Sequence, residues 1–86
     1  MNNEIQFLSI GADSVVSLQR LIAVLEPDSA PVRRMIQEAR DRGTLIDASF
    51  GKKTRAVLVM DSDHIVLSAR EAGDIRDDLS GHGSEH

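Results

Sequence analysis

Residues 28–43 contain the signals for the start, the end and the apolar face of a helix. This stretch constrains the fold more than any other. The short side chain of Asp28 or Ser29 can cap the first turn. Pro31 fits that turn because its missing N–H removes no hydrogen bond there. Apolar residues then recur at helical spacing, and Gly43 supplies the left-handed position that ends many helices. We therefore predict an amphipathic helix at about residues 29–42.

Short runs of β-favouring residues precede this helix. Residues 4–11 alternate apolar with polar side chains and end in a glycine, which is typical of a half-buried strand. Residues 15–18 and 21–25 are rich in branched side chains and stop before Pro27. Residues 15–25 also match a helical period, but the local preference of valine and isoleucine favours strands.

Three further runs of this kind follow the helix. Residues 44–50 alternate, residues 55–60 are almost wholly apolar, and a short link with a glycine lies between them. This spacing predicts a β-hairpin with Lys52 and Lys53 at its tip. Residues 64–69 return through a turn-rich segment. The predicted fold class is α+β, a small antiparallel β-meander with one main helix.

The end of the sequence predicts a short C-terminal helix and a tail. Ala72, Ile75 and Leu79 have helical spacing, although a glycine weakens the pattern. Residues 80–86 contain almost nothing apolar to bury, so we expect disorder there and a single domain over residues 1–79.

Size and composition predict self-association. A chain of 86 residues with 2% aromatic residues has a small aliphatic core, and such a core seldom supplies more than ~3–5 kcal/mol. Some predicted strands are apolar on both faces, and a chain this short has little left to cover them. We therefore expect a homo-oligomer, with a subunit number that the sequence does not specify.

Positive charge is concentrated in residues 29–55. Seven of the ten Lys and Arg residues lie there with three acids, a balance of +4 that leaves −8 for the remainder and −4 overall. An acidic chain with this asymmetry can still present one basic face to a polyanion. The seven are Arg33, Arg34, Arg40, Arg42, Lys52, Lys53 and Arg55.

The arginines of the predicted helix fall on two flanks. Arg34 and Arg42 each lie one turn from Glu38, so we expect them to pair with the acids of that flank. Arg33 and Arg40 have no acid at helical spacing, and they form either a solvated face or an edge that faces phosphates. Two readings also apply to Arg20, which interrupts apolar sequence: its charge snorkels from a sheet edge, or it faces a polyanion. Lys52 and Lys53 also have a structural interpretation, because lysines on exposed β-structure prevent aggregation.

Several familiar sites are excluded by the residues themselves. The absence of cysteine excludes disulfides, thiolate metal sites and cysteine nucleophiles. A phosphate-binding loop needs glycine and then serine or threonine where Ile46 and Lys53 stand. Asp61, Asp63 and His64 share one turn but lack the spacing of a calcium loop.

No arrangement of serine, histidine and carboxylate is typical of nucleophilic catalysis. We therefore predict a protein that is not an enzyme and that uses no cofactor, metal or small-molecule substrate. The apolar runs are far shorter than the ~20 residues of a membrane span, and the first residues show no signal-peptide pattern. We expect a cytoplasmic protein without a membrane partner.

Three segments carry a resemblance to a known family. They are IGADSVVSLQR (10–20), SAPVRRMIQEARDRGTLID (29–47) and KKTRAVLVMDSDHIVLSA (52–69), and with them the chain closely resembles the RemA family of bacterial extracellular-matrix regulators. The resemblance covers roughly residues 5–69. It implies a small DNA-binding protein that forms a ring-like homo-oligomer and activates transcription, in known members of biofilm-matrix genes.

The resemblance also implies which basic residues contact DNA. The family's contacts fall on Arg20 and on Lys52 and Lys53, where the family commonly has arginines instead of lysines. Arginine grips two acceptors on guanine, whereas lysine is a flexible point charge, so these lysines should neutralise phosphates more than they specify bases. The weaker candidates are Arg33, Arg40 and Arg55.

Two hypotheses follow. The first is a nucleoid-associated, homo-oligomeric regulator that binds double-stranded DNA through a repeated basic surface. The second is a protein-interaction scaffold whose basic stretch binds acidic partners, which the overall charge of −4 and the scarcity of aromatic residues favour. Binding to random duplex DNA at low salt separates the two.

Overall fold

The described part of the chain, residues 6–11 and 13–83 of a computed structural model, forms two sheets and two helices. A 3-10 turn, Leu18–Arg20, separates the second strand from the third. In chain order the elements are β1 (Phe7–Gly11), β2 (Ser14–Ser17), β3 (Leu21–Leu25), α1 (Ala30–Arg42), β4 (Leu45–Asp47), β5 (Ala56–Met60), β6 (Ile65–Ser68) and α2 (Ala72–Gly83). An α+β fold is therefore confirmed.

The predicted amphipathic helix is confirmed as α1, and its ends have the expected chemistry. Ser29 accepts a hydrogen bond from the Val32 amide at 3.3 Å, which satisfies one free N–H group of the first turn. Gly43 has a φ of 77°, and its amide donates to the carbonyls of Ala39 and Arg40. Val32 and Ala39 are buried, so the apolar face of α1 lies against the sheet.

The strand interpretation of residues 15–25 is also confirmed. β1 and β2 pair as an antiparallel hairpin, β3 follows the 3-10 turn, and the helical alternative is wrong. Residues 4 and 5 of the first predicted strand lie outside the described residues. The hairpin buries Leu8 and Ile10 in the core and exposes Phe7.

The predicted hairpin between residues 44–50 and 55–60 is wrong. The larger sheet has the strand order β3-β5-β6-β4, so β6 lies between β4 and β5 and pairs with β4 in parallel. The second predicted hairpin, in which residues 64–69 return on residues 55–60, is confirmed: β5 and β6 pair antiparallel, and the Met60 amide donates to the His64 carbonyl at 3.0 Å. The predicted antiparallel meander is thus a mixed sheet.

Burial explains this strand order. All of β6 is buried, and so is all of β5 except Val59, so each of these strands needs a neighbour on both sides and cover on both faces. β4 is short and exposes Ile46 and Asp47, which suits an outer strand. The link between β4 and β5 therefore crosses the end of β6 and does not close a hairpin.

The chain itself covers both faces of this sheet. α1 packs over Val57 and Leu67 on one face, and the β1–β2 hairpin packs with α2 over Leu58 and Val66 on the other. β5 and β6 are therefore covered, contrary to the expectation from chain length, and a self-association of the kind predicted would have to use residues that stay exposed. Among the described residues the large exposed apolar side chains are Phe7, Val15, Ile22, Ile46 and Phe50.

A buried serine joins the two sheets. Ser68 is 0% exposed, and its Oγ donates to the Ile10 carbonyl at 2.6 Å and accepts from the Arg70 amide at 2.9 Å. This hydroxyl therefore adds a polar link between the hairpin and the larger sheet to the apolar packing of Leu8 and Ile10.

The predicted C-terminal helix is α2, and it continues past Leu79 to Gly83. Ala72 and Ile75 are buried against the sheet. Residues 84–86 of the predicted tail lie outside the described residues. In the part of the chain that the structure describes, no helix has the length and apolar character needed to cross a membrane.

Candidate nucleic-acid interface

Lys52 and Lys53 lie on a tight turn between β4 and β5. The Lys52 amide donates to the Ser49 carbonyl at 3.1 Å. Phe50 and Gly51, the two residues between Ser49 and Lys52, have φ values of 54° and 84°. Positive φ at both central positions is the signature of a type I′ turn. A tight turn is therefore present, but Phe50 and Gly51 occupy its centre, the lysines follow them, and the strands on either side of it do not pair.

The lysine turn, residues 49–53, is anchored at its start by Asp47. The Asp47 carboxylate accepts from the Ser49 amide at 2.9 Å and from Ser49 Oγ at 2.5 Å. These bonds favour the charged carboxylate, so the hydroxyl first and the amide second lower the pKa of Asp47. Ser49 is buried, and the turn is thus held by local hydrogen bonds that do not involve the lysine side chains.

Both lysine side chains are exposed, and within the described residues neither takes part in an ion pair. Arg55 follows just before β5, but its guanidinium lies 3.0 Å from the Glu71 carboxylate. Lys53 and Arg55 also line a cleft of mixed charge that includes Glu26 and Glu71. Neither lysine is therefore held in an ion pair within the described residues, although Lys53 shares its cleft with carboxylates, whereas Arg55 is already partnered.

Arg20 ends the 3-10 turn before β3. Its side chain is 67% exposed and lies 3.4 Å from the Asp61 carboxylate. The Asp61 amide donates to the Arg20 carbonyl at 2.8 Å, so the backbone also holds this acid beside the arginine. Arg20 does lie at a sheet edge, as snorkelling requires, but its charge has a partner.

Arg20 and the lysine turn lie at opposite ends of β5. Leu21, which follows Arg20, pairs with Met60 at the end of β5, whereas Lys53 lies shortly before Ala56 at its start. At ~3.3 Å per residue, β5 alone spans ~13 Å. One chain therefore does not bring these predicted site residues together.

α1 carries four arginines, and none of them is in an ion pair within the described part of the chain. The predicted pairing of Arg34 and Arg42 with acids on their flank is wrong. Such exposed helical pairs are worth only ~0.3–0.5 kcal/mol, and here Gln37 donates to Asp41 at 3.1 Å instead. The other two arginines are the weaker candidates, Arg33 and Arg40.

Two residues of this region were not anticipated from the sequence. Phe50 is 66% exposed on the lysine turn, and only its place beside a glycine and two lysines could have indicated it. Arg70 shares a cleft with Lys52. Its guanidinium donates to the Ser9 carbonyl at 2.8 Å and pairs with Asp78 at 2.7 Å, which joins β1 to α2. Arg70 therefore stabilises the fold.

The acidic turn between β5 and β6 is built from local hydrogen bonds. Ser62 Oγ and His64 Nδ1 are 2.8 Å apart, and the Asp63 amide donates to the Met60 carbonyl at 3.1 Å. Among the described residues, no group of three potential metal ligands occurs. The clearest consequence of this turn is that it positions Asp61 against Arg20.

Comparisons with known proteins agree with one another. A RemA-like family model, described as extracellular matrix regulatory protein A-like, matches residues 7–78. The Extracellular matrix regulatory protein A of Bacillus subtilis is 58% identical over 65 residues, which cover 76% of this chain and 73% of that protein. A protein of Clostridium kluyveri named as a regulatory protein is 52% identical over 81 residues, covering 94% and 88%. A similarly named protein of Carboxydothermus hydrogenoformans is 56% identical over 66 residues, covering 77% and 76%.

Proposed function

This chain belongs to the RemA-like family of regulatory proteins, and on that premise we propose that it is a transcriptional regulator that binds double-stranded DNA as a homo-oligomer. The observation that carries the proposal is the lysine turn, where two exposed lysines have no carboxylate partner within the described residues. The proposal includes a DNA-binding domain over residues 1–79, a ring-like assembly, and a place on the nucleoid in the cytoplasm. The name of the Bacillus subtilis relative supports a role in extracellular-matrix regulation, and the proposal adds that this role is activation of matrix genes.

Lysine chemistry determines the mode of binding. A lysine ammonium neutralises phosphate without a preferred base, so a single lysine turn binds weakly and with little sequence preference. Repetition of the turn around an oligomer supplies affinity, and DNA bending or groove shape supplies selectivity.

Salt dependence follows from the same chemistry. Each phosphate neutralised contributes ~0.9 to the slope of log affinity against log salt. If Arg20, Lys52 and Lys53 each neutralise one phosphate, a docked subunit adds ~2.7 to that slope. Several docked subunits therefore give a steep salt dependence.

The combined substitution Lys52→Glu with Lys53→Glu tests the proposal. We expect duplex DNA binding to be lost at moderate salt, while circular dichroism and light scattering show an unchanged fold and oligomer. Arg34→Glu with Arg42→Glu is the matched control, because it makes the same change in charge on exposed residues of α1 and should retain most of the binding. Retention of DNA by the lysine variant at moderate salt contradicts the proposal.

One observation favours a second candidate function, a scaffold for acidic protein partners. Arg55 pairs with the Glu71 carboxylate at 3.0 Å, so a cation of the basic stretch already binds a protein carboxylate. A titration of random duplex DNA against NaCl discriminates the candidates. Absence of binding even at low salt favours the scaffold.

A further inference from the structure

An apolar groove lies along the outer edge of β3. It is a shallow cleft of about 270 Å³ between β3 and α2. The register of β3 against β5 shifts between Leu21 and Ala23, and Ile22 at this bulge is 64% exposed. Bulges at sheet edges redirect a side chain, and here the bulge turns an isoleucine outward. The apolar lining consists of Leu18, Leu21, Ile22, Ala23, Val24 and Leu79.

Phe50 is an exposed side chain on a strained backbone. Its φ of 54° lies in the left-handed region, which bulky side chains rarely adopt. In the described ranges the other non-glycine residues of positive φ are Asp13 and Asp63, and aspartate tolerates that conformation. Residues with backbone strain of this kind cluster at functional sites. The lysine turn thus presents an aromatic side chain outward, where its own chain leaves it uncovered.

Phe50 and the groove lie on different edges of the same sheet. β3 is one outer strand, and β4, which leads into the lysine turn, is the other, so three spacings of ~4.8 Å separate them. The groove also lies towards the Arg20 end of β5, whereas Phe50 lies towards the opposite end. One chain therefore cannot place its own Phe50 in its own groove, but a second copy can.

We propose that copies of this chain join head to tail, with Phe50 of one copy packed in the β3 groove of the next. Because the two surfaces differ, every joined pair keeps one free Phe50 and one free groove, and the contact extends into a ring or a filament. A buried phenylalanine supplies ~150–250 Å², well short of the ~1,200 Å² of a stable interface. The exposed Ile46 on β4 and the two outer strands therefore form part of the same interface.

The same contact completes the DNA-binding site, and this step rests on the proposed function. Lys52 is two residues from Phe50, and Arg20 is two residues from Ile22. Two residues of extended chain span ~7 Å, so packing Phe50 against Ile22 brings the lysines of one copy beside Arg20 of the next. Residues that β5 separates within one chain become neighbours across the interface.

Cysteine cross-linking tests the interface without DNA, because the natural sequence contains no cysteine. We expect Phe50→Cys and Ile22→Cys, each alone, to remain largely monomeric on a non-reducing gel after mild oxidation. A mixture of the two should give covalent dimers and stop there. A chain with both substitutions should give a ladder of covalent oligomers.

Controls make each outcome of this experiment decisive. Ile22→Cys mixed with Val15→Cys, another exposed apolar position on the β1–β2 hairpin, should remain uncrosslinked at the same concentration. The proposal is overturned if the doubly substituted chain gives no ladder, or if either single variant cross-links with itself as well as the mixture does. Phe50→Glu gives a second readout: a charged side chain cannot enter the apolar groove, whereas the small apolar cysteine can, so light scattering should show loss of the oligomer with an unchanged circular dichroism spectrum.

Mixed oligomers test the shared DNA site. Arg20→Glu in one chain and Lys52→Glu with Lys53→Glu in another should each abolish binding alone. Co-refolded together, they should regain binding, because some interfaces then join intact lysines to an intact Arg20. Failure of this rescue, with the cross-linking pattern intact, overturns the shared site and leaves the interface. Absence of DNA binding by the natural sequence, with that pattern intact, overturns the proposed function and the shared site with it, and leaves the interface.

Discussion

Asp61→Asn should strengthen DNA binding, because it releases Arg20. The guanidinium and the carboxylate are 3.4 Å apart, with side chains 67% and 45% exposed, so solvent screens the pair. Exposed pairs of this kind are worth ~0.2–1 kcal/mol. A phosphate that binds Arg20 has to displace Asp61, so its removal should raise affinity by ~1.4-fold to 5-fold per docked subunit.

Asp63→Asn is the matched control for this prediction. It removes the same charge from the same turn, but within the described residues Asp63 is in no ion pair. Its φ of 69° is one that asparagine also adopts readily. The difference between the two variants therefore isolates the pair from the general loss of negative charge.

Fluorescence anisotropy with a labelled duplex at fixed salt measures the effect. In an Arg20→Ala background the advantage of Asp61→Asn over Asp63→Asn should vanish, as a double-mutant cycle requires. Equal affinities of the two asparagine variants in the natural background, or weaker binding by Asp61→Asn, would refute the idea that Asp61 competes with phosphate for Arg20.

Three further predictions concern the scaffold of the site. Ser68→Ala should lower the free energy of unfolding by ~1–3 kcal/mol, because the Ile10 carbonyl loses its hydrogen-bond donor inside the core. Urea denaturation measures this change, and an unchanged midpoint of unfolding contradicts it. Gly43→Ala should cost ~1–2 kcal/mol from backbone strain alone, because no atom lies within 4 Å of the added carbon; thermal unfolding measures it, and an unchanged midpoint is the contrary result. Because hydrogen bonds from Ser49 lower the pKa of Asp47, its stabilisation is present at neutral pH and is lost as the pH falls through that lowered pKa. The stability gap between the natural chain and Asp47→Asn should therefore shrink in acid, and a gap independent of pH opposes this explanation.

Local signals predicted the elements of this fold well. The serine, proline and glycine at the ends of α1 act within one turn of the chain, so each is readable from its neighbours. Strand pairing is different, because it depends on which apolar runs need cover on both faces. The link at residues 51–54 looked like a hairpin loop, but the burial of β6 required that strand to lie between β4 and β5.

The candidate site could be predicted in its residues but not in its arrangement. Charge and the resemblance indicated Arg20, Lys52 and Lys53, yet neither could show that β5 holds the arginine and the lysines apart. Phe50 could not be predicted because phenylalanine is unfavourable where φ is positive. Its exposure becomes visible only when the turn is placed on the sheet.

The arginines of α1 fit the same division between two ends of the molecule. β3 runs towards the lysine end of the sheet, since Leu25 pairs with Val57, and α1 begins just after it. β4 starts at the other end, beside Ile65, so α1 has to finish there. Arg33 therefore lies nearer the lysine turn and Arg40 nearer Arg20. The head-to-tail contact that we propose would bring the Arg33 end of one copy towards the Arg40 end of the next, and it would let a chain of net charge −4 present clustered cations to a polyanion.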